Sequence, residues 1–403
     1  MYYQPTLPDG TPITLPWQLR SFFSNVLWPL QDNPTPKMKR IDNIFVGFTF
    51  FSFLLAVEAA IVFFINNLSD IFLSTEAFSN LVTYNDVILR LFNMAWQKNA
   101  LKKLLKKFYA EIYVDQKENS DIHKKVQKTI GPINIYAWVY ITSFLTFVIG
   151  PIIAAFLYNT RLLPHKLEFH FSLENPFVYA WIMAQLTYNG LCASLFVGGE
   201  ICLLGNFVGY LCARFEMMQE ELEEIDDFLI SVNDSSKLSG NFLKVVDKCI
   251  ARTNKLIEFA EEIEKVFSFQ FFVMTAHSTL MLCVVIFQTS ILYFGSAKFI
   301  SYVLWMVAKV FELIILGGLG SRLITTTNNI SSMFYHCNWE QIVFRSTNRK
   351  DNIILMKKIN AAILIYHNQI KLNGFGFFSI SLEQAASLIQ GAGSYFTVLQ
   401  TFS

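Results

Sequence analysis

The chain has 403 residues, of which 53% are hydrophobic and 16% charged, with 32 basic side chains against 31 acidic ones and 40 phenylalanines. Soluble globular chains carry about a quarter of their residues as charges. The composition therefore excludes an ordinary water-soluble domain and points to a membrane as the solvent.

Residues 1–41 are polar, hold seven of the eleven prolines and have no apolar core followed by small residues. That is no cleavable signal, so the first apolar span must direct insertion. Within this leader, Trp17 to Leu30 reads either as a short helix lying at the inner interface or as a loose tail broken by proline. Seven apolar stretches follow, at about 42–65, 71–95, 132–158, 177–212, 266–294, 300–321 and 373–400. Each meets the roughly 20 residues that a spanning helix needs. Lysine and arginine orient them, because cytoplasmic loops carry the excess. Residues 1–41, 96–131, 213–265 and 322–371 together hold 27 basic side chains, while the loops 66–70, 159–176 and 295–299 hold three. The expectation is an all-α integral membrane protein with seven transmembrane helices, a cytoplasmic N-terminus and an extracellular C-terminus. The same bias explains the basic loops without nucleic acid. The six cysteines, at 192, 202, 212, 249, 283 and 337, avoid the outer loops and read as small buried residues.

The cytoplasmic connections are long and helical in pattern. Leu101 to Phe108 (LKKLLKKF) is a basic amphipathic run, suited to anionic membrane lipid or to a calmodulin-like partner. Phe242, Val246, Cys249, Thr253, Leu256, Ala260, Ile263 and Phe267 alternate at spacings of four and three, a heptad-like seam. Phe215, Met218, Leu222 and Ile225 extend the fourth span inward, so the two helices are expected to pair as a hairpin around Ser231 to Ser236. Trp339 to Ile370 reads as a further inner helix. The organisation expected is a leader (1–41), a six-helix region with the ligand pocket (42–322), a cytoplasmic anchor region (323–371) and a pore-lining seventh helix (372–403).

Charges inside spans are functional candidates because hydrocarbon penalises them. Asp86 and Arg90 stand four apart and Lys309 and Glu312 three apart, so each pair can close along its own helix. Glu58, Glu200 and Glu383 have no such partner. Glu383 fits a cation-attracting carboxylate on a pore helix or a buried anchor. His165 and His170 are separated by five residues without nearby cysteine, which argues against a metal site. No phosphate-cradling, nucleophile-elbow or H-E-x-x-H motif occurs, so an enzyme is unsupported and no cofactor is implied. Phe72, Phe78, Val82, Thr83, Thr146, Phe147, Gly150, Tyr158, Tyr179, Met183 and Tyr302 fall in the outer halves of spans two, three, four and six. Such a mixture suits a small apolar ligand held by dispersion and one or two hydrogen bonds.

From Leu372 onward the only ionisable side chain is Glu383, and Ser387, Gly391, Ser394 and Val398 recur at spacings of four, three and four. One helical face is thus narrow and wettable, with Phe375, Phe378, Leu382 and Ile389 on the other side. A pore-lining helix needs this, and a helix packed closely in a bundle would also use small residues.

Tyr335, Cys337 and Trp339 (YHCNW) and the ending ISLEQAASLIQGAGSYFTVLQ, from Ile380 to Gln400, resemble the insect odorant receptor family. Members often have Phe where Ala385 stands and Pro near Gln369. The related gustatory receptors end in a pattern that Ser394, Tyr395, Gln400 and Phe402 do not match. The resemblance implies an odorant-gated, non-selective cation channel in the cell membrane of a sensory neuron dendrite, with four subunits around a pore lined by the last span. The tuned subunit would work in a heterotetramer with the shared co-receptor, Orco. It further implies a gate at Val398 with Thr397 and Thr401 beside it, an outer-half pocket for a small volatile organic ligand, and a subunit anchor around Tyr335, Cys337 and Trp339. The co-receptor resembles a longer chain with an insertion after the fourth span, which residues 213–265 lack, so a tuned subunit is expected. A gustatory-type channel, or a seven-helix receptor coupled to a cytoplasmic signalling protein, is the alternative.

Overall fold

A computed structural model describes residues 2–7, 9–15, 19–20, 27–116, 119–158, 163–223, 234–368 and 370–400, without the side chains of 143–152, 154–158, 297 and 395–400. The described chain is almost entirely helical. Helix α1 spans Pro36–Asn66, α2 Ile71–Trp96, α3 Lys98–Lys107, α4 Ser120–Tyr158, α5 Pro176–Glu223, α6 Leu238–Ile291 and α7 Ala297–His336. Then come α8 (Trp339–Arg345), α9 (Arg349–Ile365), a short hairpin of β1 (Asn373–Gly374) with β2 (Phe378–Ser379), and α10 (Leu382–Gln400). Local chemistry fixes several starts. The Thr35 hydroxyl accepts from Met38 N ahead of Pro36, Asp70 accepts from Phe72 N and Leu73 N, and Ser296 accepts from Phe299 N, each satisfying amides that the helix leaves unpaired.

The packing is that of a membrane protein. Along α1, Ile44, Phe45, Phe48, Phe51, Leu54, Ile61 and Ile65 are exposed, while Thr49, Ser52, Ala56, Ala59 and Ala60 are buried. Large apolar residues face outward and small or polar ones face the bundle, as lipid rather than water requires. Ser52 Oγ donates to Asn189 Oδ1 at 2.6 Å and Thr49 Oγ1 lies 2.7 Å from the Tyr188 hydroxyl, stitching α1 to α5. Gly198, Gly205 and Gly209 of α5 receive Ile141, Ile133 and Ile130 of α4. Among the described residues, four helical segments, within α1, α5, α6 and α7 with α8, are long and apolar enough to cross a membrane; α2 instead carries Glu76, Asp86 and Arg90.

The seam on α6 forms as expected: all eight of its residues are buried. Phe215, Met218 and Leu222 of α5 are buried opposite, and Thr253 Oγ1 reaches Met218 Sδ at 3.3 Å. Ile225 and the turn Ser231 to Asn233 lie outside the described residues.

Three expectations change. The leader is not a loose tail where it is described: Leu15, Leu19, Leu27 and Trp28 are buried in the main core, and Trp28 Nε1 donates to the Tyr3 carbonyl at 2.7 Å; of the helix expected there, residues 17–18 and 21–26 lie outside the described residues. Helix α3 does not lie on lipid by its apolar face, because Leu101, Leu104 and Leu105 are buried in the same core. Its lysines are drawn to acids of the chain: Lys98 to Asp42, Lys102 and Lys106 to Asp32, Lys107 to Glu258 and Glu262. The last helix begins at Leu382, not near residue 373. Ile380 N bonds the Leu372 carbonyl at 2.7 Å across the hairpin, and Phe375 (φ 51°) and Gly376 (φ 74°) turn its tip. Consecutive left-handed residues make a tight reversal and cannot continue a right-handed helix. Phe375 and Phe378 therefore serve the hairpin, where they pack on Phe269 and Phe272 of α6, and Leu382 is exposed.

Candidate functional site

The outer-half residues gather into one cluster where their side chains are described. Val82 and Tyr302 are buried together with Met281 and Val285, and Phe78, Trp305 and Met306 pack round them. Thr83 joins this wall, its hydroxyl donating to the Ser79 carbonyl at 2.8 Å and lying 3.8 Å from Met281 Sδ. Phe72 caps the outer end, its carbonyl accepting from Gln288 Nε2 at 3.2 Å. Met183 is buried on α5 and Tyr179 half-buried, but neither belongs to this cluster. Thr146, Phe147, Gly150 and Tyr158 lie outside the described side chains. The sequence reading missed α6, the fifth span, which supplies Met281 and Val285. Their spacing of four lay within the span expected at 266–294, from which no residue was taken into the expected pocket.

One turn further along α2 and α7 the wall becomes ionic. The Arg90 guanidinium is fully buried, with Nε 3.0 Å from Glu200 Oε2 and Nη2 bonded to the same oxygen. Its Nη1 is 3.1 Å from Asp86 Oδ2 and 3.3 Å from Glu312 Oε1. Lys309 Nζ lies 2.7 Å from Glu312 Oε2 and 3.7 Å from Asp86 Oδ2. The two pairs expected along separate helices are thus one network, and Glu200, expected without a partner, is its third acid. Sequence spacing could not reveal this, since residues 90, 200 and 312 meet only when α2, α5 and α7 pack. A bidentate arginine is the side chain able to bind several carboxylates at once, and Arg90 also lies over the Phe196 ring at 5.6 Å.

The loop after α4 folds back into the bundle. Glu168 N donates to the Ala59 carbonyl at 3.1 Å, Asn80 Nδ2 to the Lys166 carbonyl at 3.4 Å, and Leu167 is buried. His165 stacks edge-on against Tyr84, ring centroids 5.7 Å apart, and burial pushes its imidazole down to about 4. His170 turns elsewhere, toward Glu58 at 3.4 Å, so the two histidines do not converge.

Helix α10 has two unlike faces. Ala385 and Ala392 are buried with Leu282 of α6 and Leu313 of α7, and Leu388 and Ile389 pack beside them. Ser387, Ser394 and Glu383 are exposed and Gly391 is half-exposed. At about 100° per residue, 387, 391 and 394 lie opposite 385, 388, 389 and 392. Ser394 Oγ donates to the Gln390 carbonyl at 3.3 Å. Thr397 and Val398 lie outside the described side chains and Thr401 outside the described residues. Two glycines of α7 admit the base of α10: a Cβ on Gly317 would stand 2.7 Å, and one on Gly320 2.0 Å, from the carbonyl oxygens of Ser381 and Ile380.

At the far end of α7, Tyr335 is exposed. Cys337 is buried in the chain's own core, its thiol donating to the Phe334 carbonyl at 3.1 Å and pushed up to about 12 by burial. Trp339 packs against that core, so of the three residues only Tyr335 presents a broad free face.

The fold and these sites define an all-helical, multi-pass membrane protein with a buried ionic network beneath an apolar outer cluster. The chain belongs to the 7tm Odorant receptor family, whose model matches residues 70–393. It is 27% identical over 404 residues to Odorant receptor 74a of Drosophila melanogaster, covering 99% of this chain and 98% of that one. It is 25% identical over 410 residues to Odorant receptor 35a of the same species, covering 98% and 97%. The insect olfactory receptor OR5 from Machilis hrabei, solved in complex with eugenol, shares the fold at a TM-score of 0.75 and 11% identity, over 96% of this chain and 98% of that one. The resemblance carried by Tyr335, Cys337, Trp339 and the closing helix is borne out. The protein is an odorant-tuned receptor of olfaction in the cell membrane, and not an enzyme.

Proposed function

We propose that the protein is the odorant-tuned subunit of a ligand-gated, non-selective cation channel, formed as a heterotetramer with the odorant co-receptor. A small volatile ligand binds in the outer half, favours an arrangement in which the tenth helices separate, and withdraws Val398 from the axis. The single observation that carries this reading is the two-faced α10. It buries alanines and aliphatic residues against α6 and α7, leaving a stripe of serine and glycine facing away from its own chain. A helix meant only for packing would bury its serines and glycines as well. Assembly is supported at the cytoplasmic end by Phe344, Leu364 and Ile365, which are 91%, 77% and 66% exposed. Apolar side chains so open call for a protein neighbour.

The test is electrophysiological. In cells supplied with the co-receptor, substitutions of Ser394, Thr397 and Val398 are expected to change reversal potential or block of the ligand current. Currents unchanged in both respects for all three variants would remove α10 from the pore. Labelling of a C-terminal tag on intact cells tests the orientation independently, and a folded surface protein whose tag stays inaccessible would overturn it.

A further inference from the structure

Helix α1 carries uncompensated positive charge at the end where a helix favours negative charge. Lys37, Lys39 and Arg40 lie in its first two turns, all three exposed, and no acid stands in the first turn. The N-terminal end of the helix dipole is positive, so these bases are unfavourable to the helix that bears them. The acids that flank them in sequence are engaged elsewhere: Asp32 holds Lys102 and Lys106, and Asp42 holds Lys98 at 2.6 Å. Among the described residues, none of the three bases has an ion-pair partner.

Two of them continue an apolar stripe. Lys37, Arg40, Ile41, Ile44, Phe48 and Phe51 follow at spacings of three, one, three, four and three, and every one is exposed. At about 100° per residue those spacings keep all six on one face of the helix. The neighbouring helix marks the depth. Phe92 of α2 packs on Phe50, ring centroids 6.2 Å apart, and Lys98, just beyond α2, reaches Asp42. Trp96 therefore stands between the levels of Phe50 and Asp42, and it is 79% exposed. An open tryptophan at the end of a membrane helix sits where hydrocarbon meets headgroups. Arg40 and Lys37 lie outside that boundary, at the depth of lipid phosphates, and Phe48 and Phe51 run inward beside the acyl chains.

We propose that this face of α1 is a binding site for an anionic phospholipid, its phosphate held by Arg40 and Lys37 and one acyl chain lying along Ile44, Phe48 and Phe51. A guanidinium offers the paired donors that a phosphate accepts, and the lysine adds a point charge beside it. A choline headgroup brings its own cation to the phosphate and has no net charge to give the two bases, so the site favours headgroups that are net negative. The lysine and arginine bias makes this the face expected to be cytoplasmic, where anionic lipids are concentrated.

The experiment uses the full-length receptor alone, in detergent, and is thus separate from the channel reading. The receptor is offered an equimolar mixture of phosphatidylserine and phosphatidylcholine with matched acyl chains, and bound lipid is counted by native mass spectrometry. Wild type is expected to retain phosphatidylserine in preference. Lys37→Gln with Arg40→Gln is expected to lower that preference about 30-fold, at about fivefold for each basic residue facing anionic lipid. Its melting temperature should not fall, because the helix dipole loses two opposing charges. Lys37→Arg with Arg40→Lys should keep the preference, and so should Lys350→Gln with Lys357→Gln, which removes two exposed, unpaired lysines of α9. A wild type that binds both lipids alike, a preference that survives the glutamine pair, or one that falls as far in the charge-keeping exchange or the α9 pair, would overturn the proposal.

Discussion

Replacing Gly320 by alanine should displace the base of α10. The added Cβ would stand 2.0 Å from the Ile380 carbonyl oxygen, 2.7 Å from its carbon and 2.9 Å from its Cγ2, where ordinary contact begins at 3.4 Å. The shortfall is about 1.4 Å against backbone, not the far end of a flexible side chain. That backbone is held on both sides: Ile380 N bonds the Leu372 carbonyl at 2.7 Å, and Leu382 N bonds Ser321 Oγ at 2.8 Å. Overpacking of this kind typically costs 1 to 3 kcal/mol, about the upper figure where the backbone itself must shift. Gly318, with nothing within 4 Å of its Cβ position, is the control; alanine there is neutral or stabilising by up to about 1 kcal/mol from helix propensity. Thermal stability of detergent-solubilised receptor, followed by fluorescence-detected gel filtration, compares the two, and ligand currents with the co-receptor report the effect on gating. If Gly320→Ala matches Gly318→Ala in both measurements, the close approach of α7 to the start of α10 is not what holds the last helix in place.

Arg90→Met leaves Asp86, Glu200 and Glu312 facing Lys309 alone, and breaking a buried ionic set by one partner costs about 3 to 5 kcal/mol. Surface delivery should collapse, whereas Arg90→Lys, which keeps the charge without the fork, should retain part of it; equal surface levels for Arg90→Met and wild type would refute the network's structural role. In α3, Leu105→Ala should cost about 2 to 5 kcal/mol and Lys106→Ala under about 1 kcal/mol, since the leucine is fully buried and the lysine is paired to Asp32 at the surface. Indistinguishable melting temperatures would mean that α3 is not part of the core. His165, held near 4 against an ordinary value of 6.5, is neutral in the fold and takes up its proton more readily once unfolded. Its contribution is present above about 6.5 and is lost as pH falls toward about 4. Melting temperature of wild type should therefore drop more steeply over that window than that of His165→Asn, and parallel profiles would disprove the burial of this imidazole.

Where a single helix decides the outcome, sequence and structure coincide. The seam from Phe242 to Phe267 is buried residue for residue, because the 3.6-residue repeat alone sets which side chains share a face. The polar stripe Ser387, Gly391 and Ser394 lies opposite the buried alanines for the same reason. Glu200 escaped detection because its partner is 110 residues away, and neither propensity nor periodicity carries that separation. The basic run in α3 misled because a helix with one apolar face buries it equally well in lipid or in protein. The available protein partners, Asp32, Asp42, Glu258 and Glu262, come from the leader, α1 and α6.

Composition and helical periodicity were enough by themselves to give a helical membrane protein and the two faces of its last helix, since each is a property of one segment and its solvent. Tertiary packing alone decided that five charges from α2, α5 and α7 form one network, that α6 walls the outer cluster, and that a hairpin, not a helix, leads into α10. These outcomes depend on which surfaces meet. A buried charge or an unpaired hydroxyl has no meaning until the neighbouring helix has excluded the water or lipid beside it.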